Sequence, residues 1–289
     1  MRTTLRIGSR GGAVIEIQRN LNARGADLNE DGIFGLATER AVEQFQSQAG
    51  LIDDGIVGQR TGAALFTDRH FFAAVDVSVR TGYDYFRVRN DVASPLRRLD
   101  ADLMAIGSGL SSSGGVRSLR ADVTATRSAT SLHYVGLAFD LHVGAAMSNP
   151  ESDPYVVVRD NARGGYWRVL ARVSARPGTN GVPLETPLTT LSGAMGYVAR
   201  DHSEVQVNGL FVDLTAALEQ LGWKPIRARR SFFDRNRYGG AEWWHFQNEA
   251  AIPENATFGS LLSRVYSPAE YQGTPPAQFF DYVWREDFF

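Results

Sequence analysis

Mostly apolar residues recur at helical spacing in three short stretches near the start of the chain. The three sets are Val14, Ile17 and Leu21, then Thr38, Ala41, Val42 and Phe45, and finally Thr61, Ala64 and Leu65. Spacings of three and four residues place side chains on one face of a helix. We therefore expect three short helices between Leu5 and Phe66, with most of these apolar side chains in their common core.

A turn sequence occurs twice between these helices, at residues 31–38 and 54–61. Each copy reads D-G-I, an apolar residue, then G-x-x-T, a pattern typical of a tight turn leading into a helix. Asp27, Asn29 and Asp31, followed by Gly32, also match the first half of an EF-hand calcium loop. Position 12 of that loop would be Thr38 instead of Glu, so turn and helix-cap roles are the favoured interpretation.

Beyond Phe66 the pattern changes to longer amphipathic helices and short apolar runs. A helix is expected over residues 94–106, starting on a Ser-Pro cap, and another over residues 210–221, ending at Gly222. Residues 155–159 and 166–173 are strand-like, and residues 176–192 form a loop rich in Pro, Gly and Thr. Without alternating βαβ units, this order predicts an α+β domain with a central antiparallel sheet.

The composition narrows the class of protein. The 289 residues suggest about two domains at roughly 150 residues each. No run of about 18 apolar residues indicates a membrane span, and a net charge of -2 argues against a nucleic-acid-binding protein. The first ten residues lack the apolar stretch of a secretory signal. With no cysteine in the chain, any metal site must use His, Asp or Glu.

Two motifs supply such ligands. Residues 131–140 read S-L-H-Y-V-G-L-A-F-D, which we interpret as a strand-forming run with His133 and Asp140 at its ends. Residues 242–246 read E-W-W-H-F, where His245 can complete a His2Asp zinc site. Glu242 then stays unligated and available to act on a zinc-bound water. His142 is a rival ligand.

The remaining candidates are given structural roles. His70 and His202 lie in unpatterned sequence and are expected at the surface. Trp243 and Trp244 are favoured as packing residues around the site over sugar-stacking platforms.

The first 66 residues resemble the bacterial peptidoglycan-binding domain of three-helix type. The resemblance rests on G-x-x-G-x-x-V-x-x-I-Q-x-x-L from Gly8, D-G-x-F-G-x-x-T-x-x-A-V-x-x-F-Q from Asp31, and G-L-x-x-D-G-I-V-G from Gly50. It implies a unit that targets the cell wall through a shallow groove for glycan or stem peptide.

The two ligand motifs resemble the zinc D-alanyl-D-alanine carboxypeptidase and dipeptidase family, which is grouped with lysostaphin-type and hedgehog-like folds. The patterns S-x-H-x-x-G-x-A-x-D and E-x-W-H are both complete. The resemblance implies a Zn²⁺ cofactor, Glu242 as general base and then acid, and substrate-binding roles for Ser131 and Trp244. Residues 113–118 look like the family's S-G-Y-R-S segment without its Tyr. Arg117 would then hold the substrate, with Arg120 or Arg127 as alternatives.

Together these resemblances predict a modular peptidoglycan hydrolase similar to phage endolysins. We expect a peptidoglycan-binding domain at residues 1–66, a linker or domain start at 67–93, and a zinc peptidase domain at 94–289 with an insertion at 144–207 beside the cleft. The partner would be bacterial peptidoglycan, with no nucleic acid or membrane, and the protein would be a monomer. It would act on the wall outside the cytoplasm, released by a holin or a dedicated export route. The alternatives are a non-catalytic wall-binding protein and an exported peptidase acting on other peptides.

Overall fold

A computed structural model describes residues 4–66, 70–124, 128–178, 184–235, 237–254, 256–266 and 270. Its helices are α1 (Gly12–Asn22), α2 (Leu36–Gln48), α3 (Gln59–Leu65), α4 (Asn90–Ala105), α5 (Leu214–Gln220), α6 (Arg230–Arg235) and α7 (Phe258–Ser263). Its strands are β1 (Phe72–Asp76), β2 (Tyr85–Arg89), β3 (Ala138–Asp140), β4 (Tyr155–Arg159), β5 (Trp167–Arg172), β6 (Thr190–Tyr197), β7 (Glu204–Asp213), β8 (Trp223–Pro225) and β9 (His245–Asn248). The chain forms two compact units. The first contains α1, α2, α3 and α7, and the second contains the strands with α4, α5 and α6.

In the first unit, α1, α2 and α3 cover the three stretches with helical spacing. Val14, Ile17 and Leu21 are all buried, as their spacing predicts. Phe45 was expected in the core but is only half-buried. The Arg24 guanidinium lies over its ring at 5.8 Å from the centroid, so this ring faces a cation at the surface of the unit.

A buried glutamine of α1 organises the first turn sequence. The Gln18 side-chain nitrogen donates to Asp31 Oδ1 at 2.9 Å and to the Ile33 carbonyl at 3.2 Å, and it lies 3.3 Å from Thr38 Oγ1. The Gly32 amide donates to Gln18 Oε1 at 3.0 Å. The hydrogen bond from Gln18, together with one from the Ile33 amide at 2.9 Å, holds the pKa of Asp31 below its usual value. These bonds support the turn role of Asp31 over the calcium-loop interpretation.

The second turn sequence is organised in the same way by Gln46 of α2. Its side-chain nitrogen donates to Asp54 Oδ1, the Ile56 carbonyl and Thr61 Oγ1 at 2.9–3.0 Å. The Gly55 amide donates to Gln46 Oε1 at 2.9 Å. The sequence repeat is therefore also a repeat of one hydrogen-bond network, with a buried carboxamide at each centre.

Helix α7, near the end of the chain, packs on α1 within the first unit. Arg19 donates to Glu16 at 2.7 Å and to Thr257 Oγ1 at 3.2 Å. Glu16 is 1% exposed, and burial raises its pKa despite the ion pair with Arg19 and a hydrogen bond from Ser263. No pattern in the sequence indicated this association.

The strands of the second unit form three separate antiparallel sheets in the described part of the chain, instead of one central sheet. Their orders are β1-β2, β3-β9-β8 and β4-β5-β7-β6. The four-stranded sheet takes up much of the segment interpreted as an insertion at residues 144–207, which contains β4, β5, β6 and the start of β7. Val156, Leu170, Val207 and Phe211 pack together on this sheet.

Two predicted helix starts were wrong. Helix α4 begins at Asn90 and carries Pro95 inside it, so the proline lies beyond the first turn, where its missing amide removes one intrahelical hydrogen bond. Its apolar face, Leu96, Leu99 and Leu103, is buried as expected. Residues 210–213 belong to β7, and α5 begins after them because the Asp213 carboxylate caps the Ala216 amide. Every helix in the described residues is too short or too polar to span a membrane.

Candidate metal centre

The pairing of β3 with β9 places Asp140 directly opposite His245. Directly paired residues of an antiparallel sheet project to the same face. His245 Nδ1 accordingly lies 3.0 Å from Asp140 Oδ1. The two side chains are partly buried, at 12% and 22% exposure.

The opposite face of this sheet is apolar. Phe139 of β3 stacks on Phe86 of β2 at 4.5 Å between ring centroids, and it contacts Trp223 of β8 at 4.9 Å and Phe246 of β9 at 5.9 Å. Burial of one such side chain stabilises a fold by about 1.5–3 kcal/mol. The strands that carry Asp140 and His245 therefore rest on a rigid aromatic layer.

His133 lies in a 3-10 turn, Leu132–Val135, and not on a strand as the sequence suggested. Ser131 Oγ accepts from the His133 amide at 3.4 Å, and the Ser131 carbonyl accepts from the Tyr134 amide at 3.1 Å. Gly136 then leads into β3 with φ +70°, and a Cβ at this position would lie 2.7 Å from the Arg89 amide nitrogen. A side chain at this position would therefore collide with the backbone of β2, which accounts for the glycine of the motif.

The structure brings His133, Asp140 and His245 together. One ligand atom from each side chain lies within 4.8 Å of the others, and His133 is buried. Zinc binds imidazole nitrogen and carboxylate oxygen at about 2.0–2.2 Å, so this donor set fits zinc in chemistry and in spacing. It is the one group of three or more His, Asp or Glu with such spacing in the described residues.

The other histidines stay outside this group. The His142 ring packs against Gly144, with Cε1 at 3.0 Å from the position of a Cβ there, and its amide donates to Ser111 Oγ. His70 and His202, expected at the surface, are half-buried. The reason at His202 is that its ring stacks on Phe232 at 4.8 Å.

Glu242 is held close to His245 along the chain. The His245 amide donates to the Glu242 carbonyl at 3.1 Å, and the Glu242 side chain accepts from Arg229 Nε at 2.5 Å through Oε1. Glu242 is 7% exposed and has a left-handed φ of +56°. Sequence reasoning missed Arg229, because it lies in the arginine-rich stretch R-A-R-R at residues 227–230, with no motif to mark it.

The segment that resembles S-G-Y-R-S pairs with the strand of Asp140. The Ser113 amide donates to the Asp140 carbonyl and the Asp140 amide donates to the Gly114 carbonyl, both at 2.8 Å. Arg117 follows this segment and is half-buried, and its role toward substrate stays a prediction. Of the alternatives, Arg120 is exposed and Arg127 lies outside the described residues.

The surroundings of Trp243 and Trp244 are those of packing residues. Their rings meet edge to face at 5.7 Å, and the Trp244 ring lies 5.6 Å from that of Tyr238. The Trp243 indole donates to the Tyr238 hydroxyl, which itself donates to the Val143 carbonyl at 2.6 Å. Substrate contact by Trp244, like that by Ser131, stays a prediction.

Comparison with known proteins finds similarity concentrated in one part of the chain. Residues 10–65 match the family model described as a peptidoglycan binding domain. Over 61 residues the chain is 48% identical to the zinc D-Ala-D-Ala carboxypeptidase of Streptomyces albus G, which covers 20% of this chain and 24% of that protein. The Burkholderia AP3 phage endolysin structure is 48% identical over 23% of this chain and 26% of its own, with a TM-score of 0.23. The chain thus spans about a quarter of the length of these relatives.

A longer alignment links the chain to a fused Zn-dependent amidase/peptidase/peptidoglycan-binding domain-containing protein from Clostridium acetobutylicum ATCC 824. It covers 68% of this chain and 72% of that one at 17% identity, with a TM-score of 0.22.

Proposed function

We propose that the protein is a zinc-dependent peptidase that cleaves an amide bond in cell-wall peptides. It would act as a D,D-carboxypeptidase or as an endopeptidase on stem or cross-link peptides. The observation that carries this proposal is the group of His133, Asp140 and His245, with ligand atoms within 4.8 Å. The similarity of residues 10–65 to a peptidoglycan binding domain supports the cell wall as the substrate.

The roles of the residues follow from their chemistry. His133, Asp140 and His245 would hold the metal. When bound, zinc supplies Lewis acidity that polarises an amide carbonyl and lowers the pKa of water to about 7. Glu242 would accept a proton from the attacking water and pass it to the leaving amine. Arg229 occupies Oε1 of Glu242, which leaves Oε2 for that proton.

One further group would act on the substrate and another on a metal ligand. Arg117 would stabilise the carbonyl oxygen or bind a substrate carboxylate through a charge-assisted hydrogen bond. Ser131 would orient His133, because its Oγ accepts from the His133 amide.

Attachment to the wall would raise the local concentration of a polymeric substrate. We assign this to residues 1–66, followed by a linker or domain start at 67–93 and a catalytic domain at 94–289. A chain with net charge -2 has no excess of cations to hold an anionic polymer, so binding would rest on a specific surface. A holin or a dedicated export route, as for phage endolysins, would bring the protein to the wall.

Purified sacculi and defined muropeptides test the proposal. The zinc-loaded protein should release products of one defined mass, and a chelator or Glu242→Ala should abolish their release. Mass spectrometry of these products names the bond cleaved. Zinc-loaded protein that binds sacculi but releases nothing would instead indicate a non-catalytic wall-binding protein, and hydrolysis confined to peptides from other sources would indicate a different substrate.

A further inference from the structure

A charged cleft of about 330 Å³ lies against β8 and β9 in the second unit. We call it the β8–β9 cleft. The charged side chains that line it are Arg163, Glu219, Lys224 and Glu249, and the polar ones are Tyr166 and Gln247. The proposed hydrolysis assigns no role to any of them.

The cleft lies on the same face of the sheet as the candidate metal centre. Gln247 pairs directly with Lys224 of β8, and along β9 it is two residues from His245, which pairs with Asp140. Residues two apart on a strand share a face and lie about 6.6–6.8 Å apart. Gln247, which lines the cleft, is therefore one such step along β9 from His245.

The charged side chains of the cleft differ in the number of hydrogen bonds that they make. Arg163 is held twice, because it donates to Glu219 at 2.6 Å and to Asp160 at 2.7 Å. Glu249 accepts through Oε1 from Gln247 at 2.6 Å. Its other oxygen, Oε2, is buried and receives no hydrogen bond that meets ordinary geometry from any described residue. Lys224 Nζ forms a long ion pair with this oxygen at 3.4 Å.

We propose that the β8–β9 cleft binds a zwitterionic amino-acid head group, with the ligand ammonium on Glu249 Oε2 and the ligand carboxylate on Lys224. A ligand ammonium would give this buried oxygen a direct hydrogen bond in place of the long ion pair with Lys224, and Lys224 would then pair with the ligand carboxylate. The two cations and two anions that line the cleft balance each other, so a ligand carrying one charge of each sign preserves the balance. Deepening the proposed function, this makes the substrate a peptide with a diamino dicarboxylic residue, whose side chain ends in such a head group.

Binding to the metal-free full-length chain tests this without turnover and without chelation of zinc by the ligand. The probes are a short peptide containing 2,6-diaminopimelic acid, the matching peptide with 2-aminopimelic acid, which lacks the side-chain ammonium, and free D-alanine. Calorimetry gives the affinities, and NMR shifts of the Gln247 side-chain amide report the location. We expect the diaminopimelic peptide to bind about tenfold or more tightly than its ammonium-free counterpart.

Glu249→Gln should remove this preference, and the exposed Glu151→Gln should keep it. Lys224→Met, at a half-exposed side chain, should weaken both peptides, since both end in a carboxylate. Equal binding of D-alanine would identify a free amino acid as the occupant of the same site. Absence of binding to the wild-type chain, or an unchanged preference in a folded Glu249→Gln variant, would overturn the inference. Failure of the proposed function would appear separately, as absence of hydrolysis by the zinc-loaded protein.

Discussion

Arg229 holds the carboxylate of Glu242 through an Nε–Oε1 contact of 2.5 Å. The glutamate is the more buried partner, with 9% of its side chain exposed against 38% for the arginine. A charge-assisted hydrogen bond to a largely buried carboxylate fixes its orientation as well as its charge. Arg229 is therefore a positioning residue for the proposed base.

This contact predicts that Glu242 and Arg229 act as one unit. Glu242→Gln should lower kcat by about 10²–10⁴-fold, the usual contribution of a general base. Arg229→Gln should lower kcat by about 10–100-fold with little change in KM, as for other residues that orient a catalytic group. In the double variant the effect of Arg229→Gln should disappear, because the group it positions is gone. Steady-state kinetics checks this cycle. Additive losses, or a change confined to KM, would refute the positioning role.

The three-residue group predicts which substitutions remove zinc. His133→Ala and His245→Ala should each abolish stoichiometric zinc binding, because two protein ligands cannot replace the three of a catalytic zinc site. His142→Ala is the matched control, since this neighbour of Asp140 lies outside the group. Zinc content after dialysis, measured by mass spectrometry, checks the prediction. Retained zinc in His133→Ala together with its loss in His142→Ala would exchange their roles.

The paired glutamine networks predict large local stability effects. Gln18→Ala and Gln46→Ala should each destabilise the first unit by about 2–3 kcal/mol, because a buried amide and turn carboxylate lose their partner. The exposed Gln44→Ala should stay within about 0.5 kcal/mol of wild type.

Hydrogen exchange measures this directly. Loss of about 2 kcal/mol speeds exchange by roughly 30-fold, and the Gly32 and Gly55 amides report the Gln18 and Gln46 networks respectively. Unchanged exchange at the matching glycine would show that water replaces the carboxamide without loss.

Burial of Glu16 predicts a pH dependence of stability. Its pKa is raised above 4.5 because burial disfavours the charged form. The folded state therefore holds this proton more tightly than the unfolded state. The resulting contribution to the unfolding free energy is fully present below pH 4.5, and it is lost as pH rises through the raised pKa. Glu16→Gln should remove that loss. As the pH rises above 4.5, its unfolding free energy should decrease less than that of wild type.

Denaturant titrations at several pH values check this difference. Asp53→Asn, which removes an exposed charge, should follow the wild-type curve. Parallel curves for wild type and Glu16→Gln would contradict the prediction.

Local chemistry explains how much the sequence could predict. The D-G turns and apolar spacing gave the three helices near the start of the chain, because turn residues and helix faces depend on neighbours within a few positions. The start of α5 was misplaced because the last apolar residues of β7 continue its pattern, and only the Asp213 cap separates the two elements. His133 was assigned to a strand because a short apolar run does not distinguish a 3-10 turn from an extended segment.

The site depends on contacts that no local pattern encodes. Motif spacing singled out Asp140 and His245, yet their proximity arises from a strand register that joins positions 105 residues apart. The burial of Glu249 Oε2 is likewise not indicated by any local sequence pattern. The packing of α7 on α1 is also non-local, since it joins Arg19 to Thr257.

The backbone of Glu242 predicts an inverted order of stability for two inactive variants. Its φ of +56° lies in the left-handed region, which costs a residue with a Cβ about 1–2 kcal/mol and glycine almost nothing. Both Glu242→Ala and Glu242→Gly lose the bond to Arg229, so their difference isolates the backbone term. At ordinary positions alanine is the more stabilising residue because glycine loses more conformational entropy on folding. Here Glu242→Gly should be more stable than Glu242→Ala by about 1 kcal/mol.

Chemical denaturation of the zinc-free variants measures this difference in stability. An alanine variant as stable as the glycine variant would show that this turn relaxes once the glutamate is removed. A measured advantage for glycine would mean that the protein keeps a strained turn in order to present this carboxylate.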